Sequence, residues 1–283
     1  MLLVDKMMSG NKMSWCIVYL ASPAARHIGC EPFCSKLDIL RASMRIARSI
    51  FPTKDIYVYH EDFTQKEFDY LPPATFIQID FKGHEDKYNP ATGRNYGYLM
   101  MCRFFSGVLQ SRPELQQYTH YMRLDDDSYF VSPLITGAGV DEMISHDYVY
   151  RSLFTEGQCQ QGLFDFTVKF MQDRGLVVNM AGLESSGFTR NGKYTGIAPY
   201  NNFHVSSLAL WKRPLVREYV EELEKSNSIL RHGWLDANIH AMIAGVLVPC
   251  AVHVGNFGYH HNKHLSVLNS AAIYWNDSLP FHP

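Results

Sequence analysis

The run Tyr121-Met-Arg-Leu passes without a break into three adjacent carboxylates, Asp125, Asp126 and Asp127. An apolar, aromatic stretch of this kind reads as a buried strand, and three like charges at its end repel one another wherever they are packed. A fold that keeps them together needs a cation or hydrogen-bond donors at that strand end. On an exposed turn the same residues carry no chemistry, so the triplet alone leaves both readings open.

The flanking pattern alternates strands with helices. Trp15–Ala21 reads as a buried strand, and Ser35 as the cap of a helix whose Leu37, Leu40, Met44 and Ala47 recur at helical spacing. Ile56–His60 is a second strand, 63–71 a short helix, 75–80 a third strand, 95–109 an aromatic helix and 119–124 the fourth strand. This order predicts a largely parallel α/β sheet in one domain, with the triplet at a carboxyl strand end, where open sheets bind ligands. No Gly-x-Gly-x-x-Gly or Gly-x-x-x-x-Gly-Lys-Ser/Thr accompanies these strands, which argues against a dinucleotide fold of the usual kind and a P-loop ATPase. Further on come a strand at 147–153, a helix near 164–173, a loop or lid at 182–196, the segment 203–211, and helices at 214–230 and 235–244. The expected boundaries are a tail at 1–13, the domain at 14–264 and an extension at 265–283.

With a net charge of −2 and a pI near 6.7, bulk electrostatics supply no reason to expect nucleic acid or an anionic membrane surface as partner. The run Cys16–Ala21 is too short to span a bilayer, and 241–255 contains Pro249 and His253, so no integral membrane segment is expected. Six cysteines without a Cys-x-x-Cys pair argue against structural zinc. The sequon at Asn276 leaves the compartment open.

Asp236 and His240 stand four apart, so on a helix they share one face; imidazole with carboxylates suits Mn²⁺, and a carboxylate one turn earlier can orient the ring. The competing reading is a buried, satisfied histidine. Tyr98, Cys102, Arg103 and Arg123 surround the aromatic helix and fourth strand. Either arginine offers the planar fork a diphosphate needs, and Arg103 equally suits an ion pair with the Asp run. Tyr259, His260, His261, Lys263 and His264 form a second polar cluster, which by itself reads as a solvated loop.

Five segments in order, Tyr98-Leu-Met-Met-Cys-Arg-Phe-Phe-Ser-Gly, Tyr121-Met-Arg-Leu-Asp-Asp-Asp, Tyr200-Asn-Asn-Phe-His-Val-Ser-Ser, Trp234-Leu-Asp-Ala-Asn-Ile-His and Gly258-Tyr-His-His, resemble glycosyltransferase family 15, the fungal α-1,2-mannosyltransferases. The resemblance covers roughly 14–264 and implies a single GT-A-like domain, with a mixed, mostly parallel sheet flanked by helices. It implies Asp125 and His240 as Mn²⁺ ligands, Tyr98 near the donor's anomeric carbon, Glu156 on the acceptor side and Asp127 in the catalytic set. Arg103, Arg123, Asp236 and His261 are expected to serve the donor and its phosphates, Arg103 as a phosphate or scaffold residue. Two departures stand out: Asp126 replaces the family's Pro, and Leu210 sits about where the family carries a glutamate. The family's amino-terminal anchor is not seen, so the Golgi lumen that the resemblance suggests has no support at this N-terminus.

The resulting expectation is a retaining, metal-dependent transferase moving mannose from GDP-mannose to a mannose-containing glycan or glycoprotein. The alternatives are a UDP-sugar donor, which the Asp-x-Asp pattern widens, and a catalytically silent carbohydrate-binding relative, for which Leu210 speaks.

Overall fold

Strand β1 (Trp15–Ala21) is buried along both faces, and alternate residues feed two different cores. Cys16 and Val18 join Tyr57, Tyr59 and Tyr121 on one side of the sheet, while Ile17 and Tyr19 join Ile56, Val58, Met122 and Leu124 on the other. The computed structural model describes residues 13–22, 36–130, 137–156, 160–254 and 257–261. After β1 come α1 (Lys36–Ile50), β2 (Ile56–His60), α2 (Gln65–Tyr70), β3 (Thr75–Gln78), α3 (Tyr96–Arg103), β4 (His120–Leu124) and β5 (Ser128–Phe130). Then follow α4 (Gly137–Met143), β6 (Tyr148–Tyr150), β7 (Leu153–Thr155), α5 (Gln161–Gln172), α6 (Met180–Ser185), β8 (Thr189–Arg190) and β9 (Lys193–Tyr194). The chain continues through β10 (Ile197–Pro199), β11 (Phe203–Ser207), α7 (Leu208–Lys212), α8 (Pro214–Ser226), α9 (Ser228–His232), α10 (Asp236–Ala241), β12 (Ala251–His253) and β13 (Tyr259–His261).

Seven strands form one sheet in the order β12-β6-β11-β4-β1-β2-β3. Every pairing is parallel except those of β11, which runs antiparallel to both β4 and β6. The expected mixed, mostly parallel α/β sheet is therefore present. Helix α1 buries Leu40, Met44 and Ala47, as its spacing predicts. Its expected cap, Ser35, lies outside the described residues, as do 265–283.

Several helices are shorter than their periodicity suggests. The aromatic helix stops at Arg103 and passes into a π turn, Phe104–Val108, with Gly107 at φ 145°. A Cβ on Gly107 would lie 2.3 Å from Val220 Cγ1, so the close approach of α8 requires glycine there. The helix expected over 214–230 is broken by Asn227 at φ 51°, and α10 gives way to a second π turn, Met242–Leu247. The expected loop at 182–196 contains the end of α6 and the β8–β9 hairpin.

Three pairings assemble the site. Antiparallel β11 sets Phe203 opposite Leu124, so Tyr200–Asn202 arrive beside the triplet and the Asp125 N–H donates to Asn202 O at 3.1 Å. Antiparallel β13 sets His261 opposite Ser128, immediately after the triplet. The β7–β10 pair brings Glu156 against Gly196, whose carbonyl accepts the Glu156 N–H at 3.0 Å. Gly196 sits at φ 81°, where a Cβ would lie 1.9 Å from Glu156 O. Among the described residues no helix is long and apolar enough to cross a membrane.

Candidate active site

A cavity of about 810 Å³ opens at the carboxyl end of β4, with the whole triplet, Tyr98, Glu156 and His261 in its walls. Arg123 anchors it from below. Its side chain is 2% exposed and lies over the Phe105 ring, Cζ 3.5 Å from the centroid. Nε donates to Asp125 Oδ1 at 2.8 Å and Nη1 to Asp236 Oδ2 at 2.6 Å. Asn201 Nδ2 donates to the same Asp236 oxygen at 2.9 Å. Burial works against the Asp236 carboxylate, but the Arg123 charge and these donors outweigh it and hold its pKa below the ordinary carboxylate value.

With Oδ1 of Asp125 held by Arg123, Oδ2 faces His261 Nε2 at 3.6 Å, and Asp127 Oδ1 stands 3.0 Å from the same nitrogen. One ligand atom from each of Asp125, Asp127 and His261 falls within 4.8 Å of the others. The Tyr200 hydroxyl meets His261 Nδ1 at 2.8 Å, which orients the ring and leaves Nε2 toward the carboxylates. Burial would lower the His261 pKa, but the hydrogen bond to Asp127 and the charges of both carboxylates outweigh it and raise it. Two carboxylates and an oriented imidazole fit a divalent ion such as Mn²⁺, whose entry would displace that proton.

His240, the histidine expected to ligate metal, lies outside this grouping. It is 1% exposed, with Nε2 2.9 Å from Phe105 O and Nδ1 3.0 Å from the Tyr148 hydroxyl. A carbonyl only accepts, so Nε2 donates and Nδ1 accepts from Tyr148, and the neutral ring has no lone pair left for a cation. Burial pushes its pKa down to about 4 from 6.5, and that of neighbouring His204 moves down as well. The unfolded chain therefore binds more protons between about pH 4 and 6.5. Stability present above pH 6.5 is expected to fall as pH drops through that window, by up to ~1.4 kcal/mol per pH unit for His240. Urea titrations at pH 7, 6 and 5 on wild type and His240→Asn check this; an equally steep decline in the variant would remove His240 from the account.

Arg103, expected as a phosphate or scaffold residue, takes the scaffold position. Its guanidinium pairs with Glu224 of α8, Nε at 2.8 Å and Nη2 at 2.7 Å, so it joins α3 to α8 and is not among the residues that line the cavity. The arginine that pairs with the triplet is Arg123, through Asp125. Tyr98 is half-buried in the cavity wall; burial pushes its hydroxyl pKa up, keeping it a neutral donor. Glu156 accepts from Arg94 Nη2 at 2.5 Å, and the Arg94 guanidinium lies over the Tyr98 ring, its carbon 5.6 Å from the centroid. Leu210 is fully buried in the core, so the position where a glutamate was sought presents no carboxylate to the cavity.

Asn201, Tyr200, Arg94 and Lys36 were assigned no role from the sequence. The polar run Tyr200-Asn-Asn just before an apolar strand is the signal that could have found the first two. Nothing local marks Arg94 or Lys36.

A model of the glycolipid 2-alpha-mannosyltransferase family matches residues 82–279. Glycolipid 2-alpha-mannosyltransferase 1 of Candida albicans is 27% identical over 180 residues, 60% of this chain and 40% of its own. The glycolipid 2-alpha-mannosyltransferase of Saccharomyces cerevisiae is 23% identical over 238 residues, 75% of this chain and 54% of its own. The chain thus spans about half the length, or less, of these curated relatives. Core-mannan synthase A (CmsA/Ktr4) from Aspergillus fumigatus, solved in a Mn/GDP form, superimposes with a TM-score of 0.70 at 15% identity, covering 89% of this chain and 75% of that one. Ktr4p from S. cerevisiae in complex with GDP gives 0.69 at 16% identity, covering 88% and 71%. These likenesses establish a GT-A-like fold. Because the family model spans well over half of the 283 residues, the chain belongs to the glycolipid 2-alpha-mannosyltransferase family.

Proposed function

We propose that the chain transfers mannose from GDP-mannose to a hydroxyl of a mannose-containing acceptor, forming an α-1,2 linkage with retention. The observation that carries this reading is the Asp125, Asp127 and His261 grouping at the carboxyl end of β4, inside a cavity that also holds Tyr98 and Glu156. The Mn/GDP form of CmsA/Ktr4 and the GDP complex of Ktr4p support the choice of metal and nucleotide. Asp125, Asp127 and His261 would hold Mn²⁺, which when bound neutralises charge on the leaving diphosphate. Tyr98 donates from the wall beside the reacting carbon. Glu156, restrained by Arg94 and by the backbone pairing with Gly196, orients the acceptor hydroxyl. Leu210 leaves no carboxylate for a covalent intermediate at that position, so the acceptor attacks from the face the diphosphate leaves.

Purified protein with Mn²⁺ and an α-mannoside acceptor is expected to consume GDP-mannose, to leave UDP-galactose and UDP-glucose intact, and to stop on chelation. Turnover of a UDP-sugar instead would replace the donor. Binding of oligomannose with no donor consumed would favour a silent carbohydrate-binding relative, the reading that the buried Leu210 keeps in view.

A further inference from the structure

Asp126, the middle carboxylate, takes no part in the grouping around His261. It is 5% exposed, and its Oδ1 lies 2.8 Å from Nζ of Lys36, the first residue of α1. The triplet forms a turn between β4 and β5, closed by the Ser128 N–H to Asp125 O at 3.0 Å, and in it Asp126 faces Lys36 while Asp125 and Asp127 face His261. Lys36 is not sealed in with its partner: its side chain is 24% exposed and lines the cavity. Burial works to lower the Lys36 pKa, but Asp126, with Asp127 and Asp125 behind it, outweighs that and raises it, so the ammonium stays charged.

The cavity wall carries five carboxylates, Asp125, Asp126, Asp127, Glu156 and Asp236. An anionic ligand entering there meets net negative charge unless cations face it. Among the described residues the wall has two side chains with a permanent positive charge, Arg123 and Lys36. Arg123 is 2% exposed, committed to Asp125 and Asp236 and stacked on Phe105. Lys36 gives one N–H to Asp126, and among the described residues that is the one ion pair of its three-donor ammonium, which lines the cavity.

We propose that Lys36 is a diphosphate-binding residue of the donor site and that Asp126 is its positioning residue, so the middle of the triplet seats a lysine and not a metal ion. The inference rests on the reading of the cavity as a sugar-nucleotide site. It also accounts for the departure at position 126: proline there offers no anion to hold an ammonium, whereas aspartate fixes one beside the metal ligands.

Calorimetric titration of GDP with Mn²⁺ present, on wild type, Lys36→Gln, Lys36→Arg and the double variant Lys36→Gln/Asp126→Asn, tests this. Loss of Lys36 is expected to weaken GDP at least about tenfold, with Lys36→Arg recovering much of it. The affinity for Mn²⁺ alone is expected not to fall, because its ligands are untouched. The double variant leaves no unpaired buried carboxylate, so it is expected to fold and to show the same GDP loss. GDP binding within twofold of wild type in the double variant would overturn the proposal and leave the pair a purely structural neutralisation. Wild-type protein that binds no GDP would overturn the sugar-nucleotide reading itself, a result distinct from unchanged affinity in the variant.

Discussion

His261→Ala and Asp125→Ala are each expected to lower the kcat/KM of Mn²⁺-dependent mannose transfer by about a thousandfold or more, with the fold retained. Three ligand atoms meet within 4.8 Å, and the removal of any one leaves too few protein donors to hold the ion against water. Both side chains sit in the cavity wall at 17% and 22% exposure, so truncation opens no core void. His240→Asn supplies the contrast. Its ring nitrogens are occupied by Phe105 and Tyr148, so that variant is expected to keep Mn²⁺ affinity and to lose stability instead. Mn²⁺ titration of the three variants decides the matter: affinity lost in His240→Asn and kept in His261→Ala would reverse the assignment.

Arg123→Leu carries the second large effect, this time on stability. The substitution leaves Asp125 and Asp236 without the guanidinium that bridges them, and Asp236 is 3% exposed. Breaking a buried pair by removing one partner destabilises by about 3–5 kcal/mol, because the remaining charge stays out of water. The expected outcome is a fall of that size in urea denaturation at neutral pH, smaller at a pH where the unpaired Asp236 of this variant is protonated. Arg103→Leu is the control. Its pair with Glu224 is more exposed, 23% and 32%, and loses at most about 1 kcal/mol. If the two variants proved equally stable, the buried bridge would be no stronger than a surface pair.

These contrasts show where reading the chain in one dimension succeeds. Lys36–Ile50 repeats at helical spacing and buries the expected face, and the apolar runs at Trp15, Ile56 and His120 are strands because nothing but a sheet buries both sides of so short a segment. The triplet sits at a strand end because an apolar run stops where the charges start. The allocation of residues to the two cores was not legible, since both faces of β1 and β2 are largely apolar. Nor was the π turn at Phe104–Val108, where α8 packs closely against Gly107.

The two histidines mark the boundary most clearly. His240 stands one helical turn from Asp236, so sequence spacing favours it as the partner of a carboxylate, and its proximity to that helix face is real. What spacing does not encode is whether a ring nitrogen remains free, and the Phe105 carbonyl, released from regular helix geometry, takes one of them. His261 lies more than 130 residues from the triplet and reads locally as a loop residue. Only the antiparallel pairing of β13 with β5 carries it to Asp125 and Asp127.

The sequence by itself determined the strand-helix alternation, the family and the carboxylates at the end of β4, because each depends on residues adjacent in the chain. The tertiary structure decided which histidine faces those carboxylates, which arginine neutralises them and which lysine holds the third. Ligand geometry depends on distances between groups remote in sequence, and strand register sets those distances.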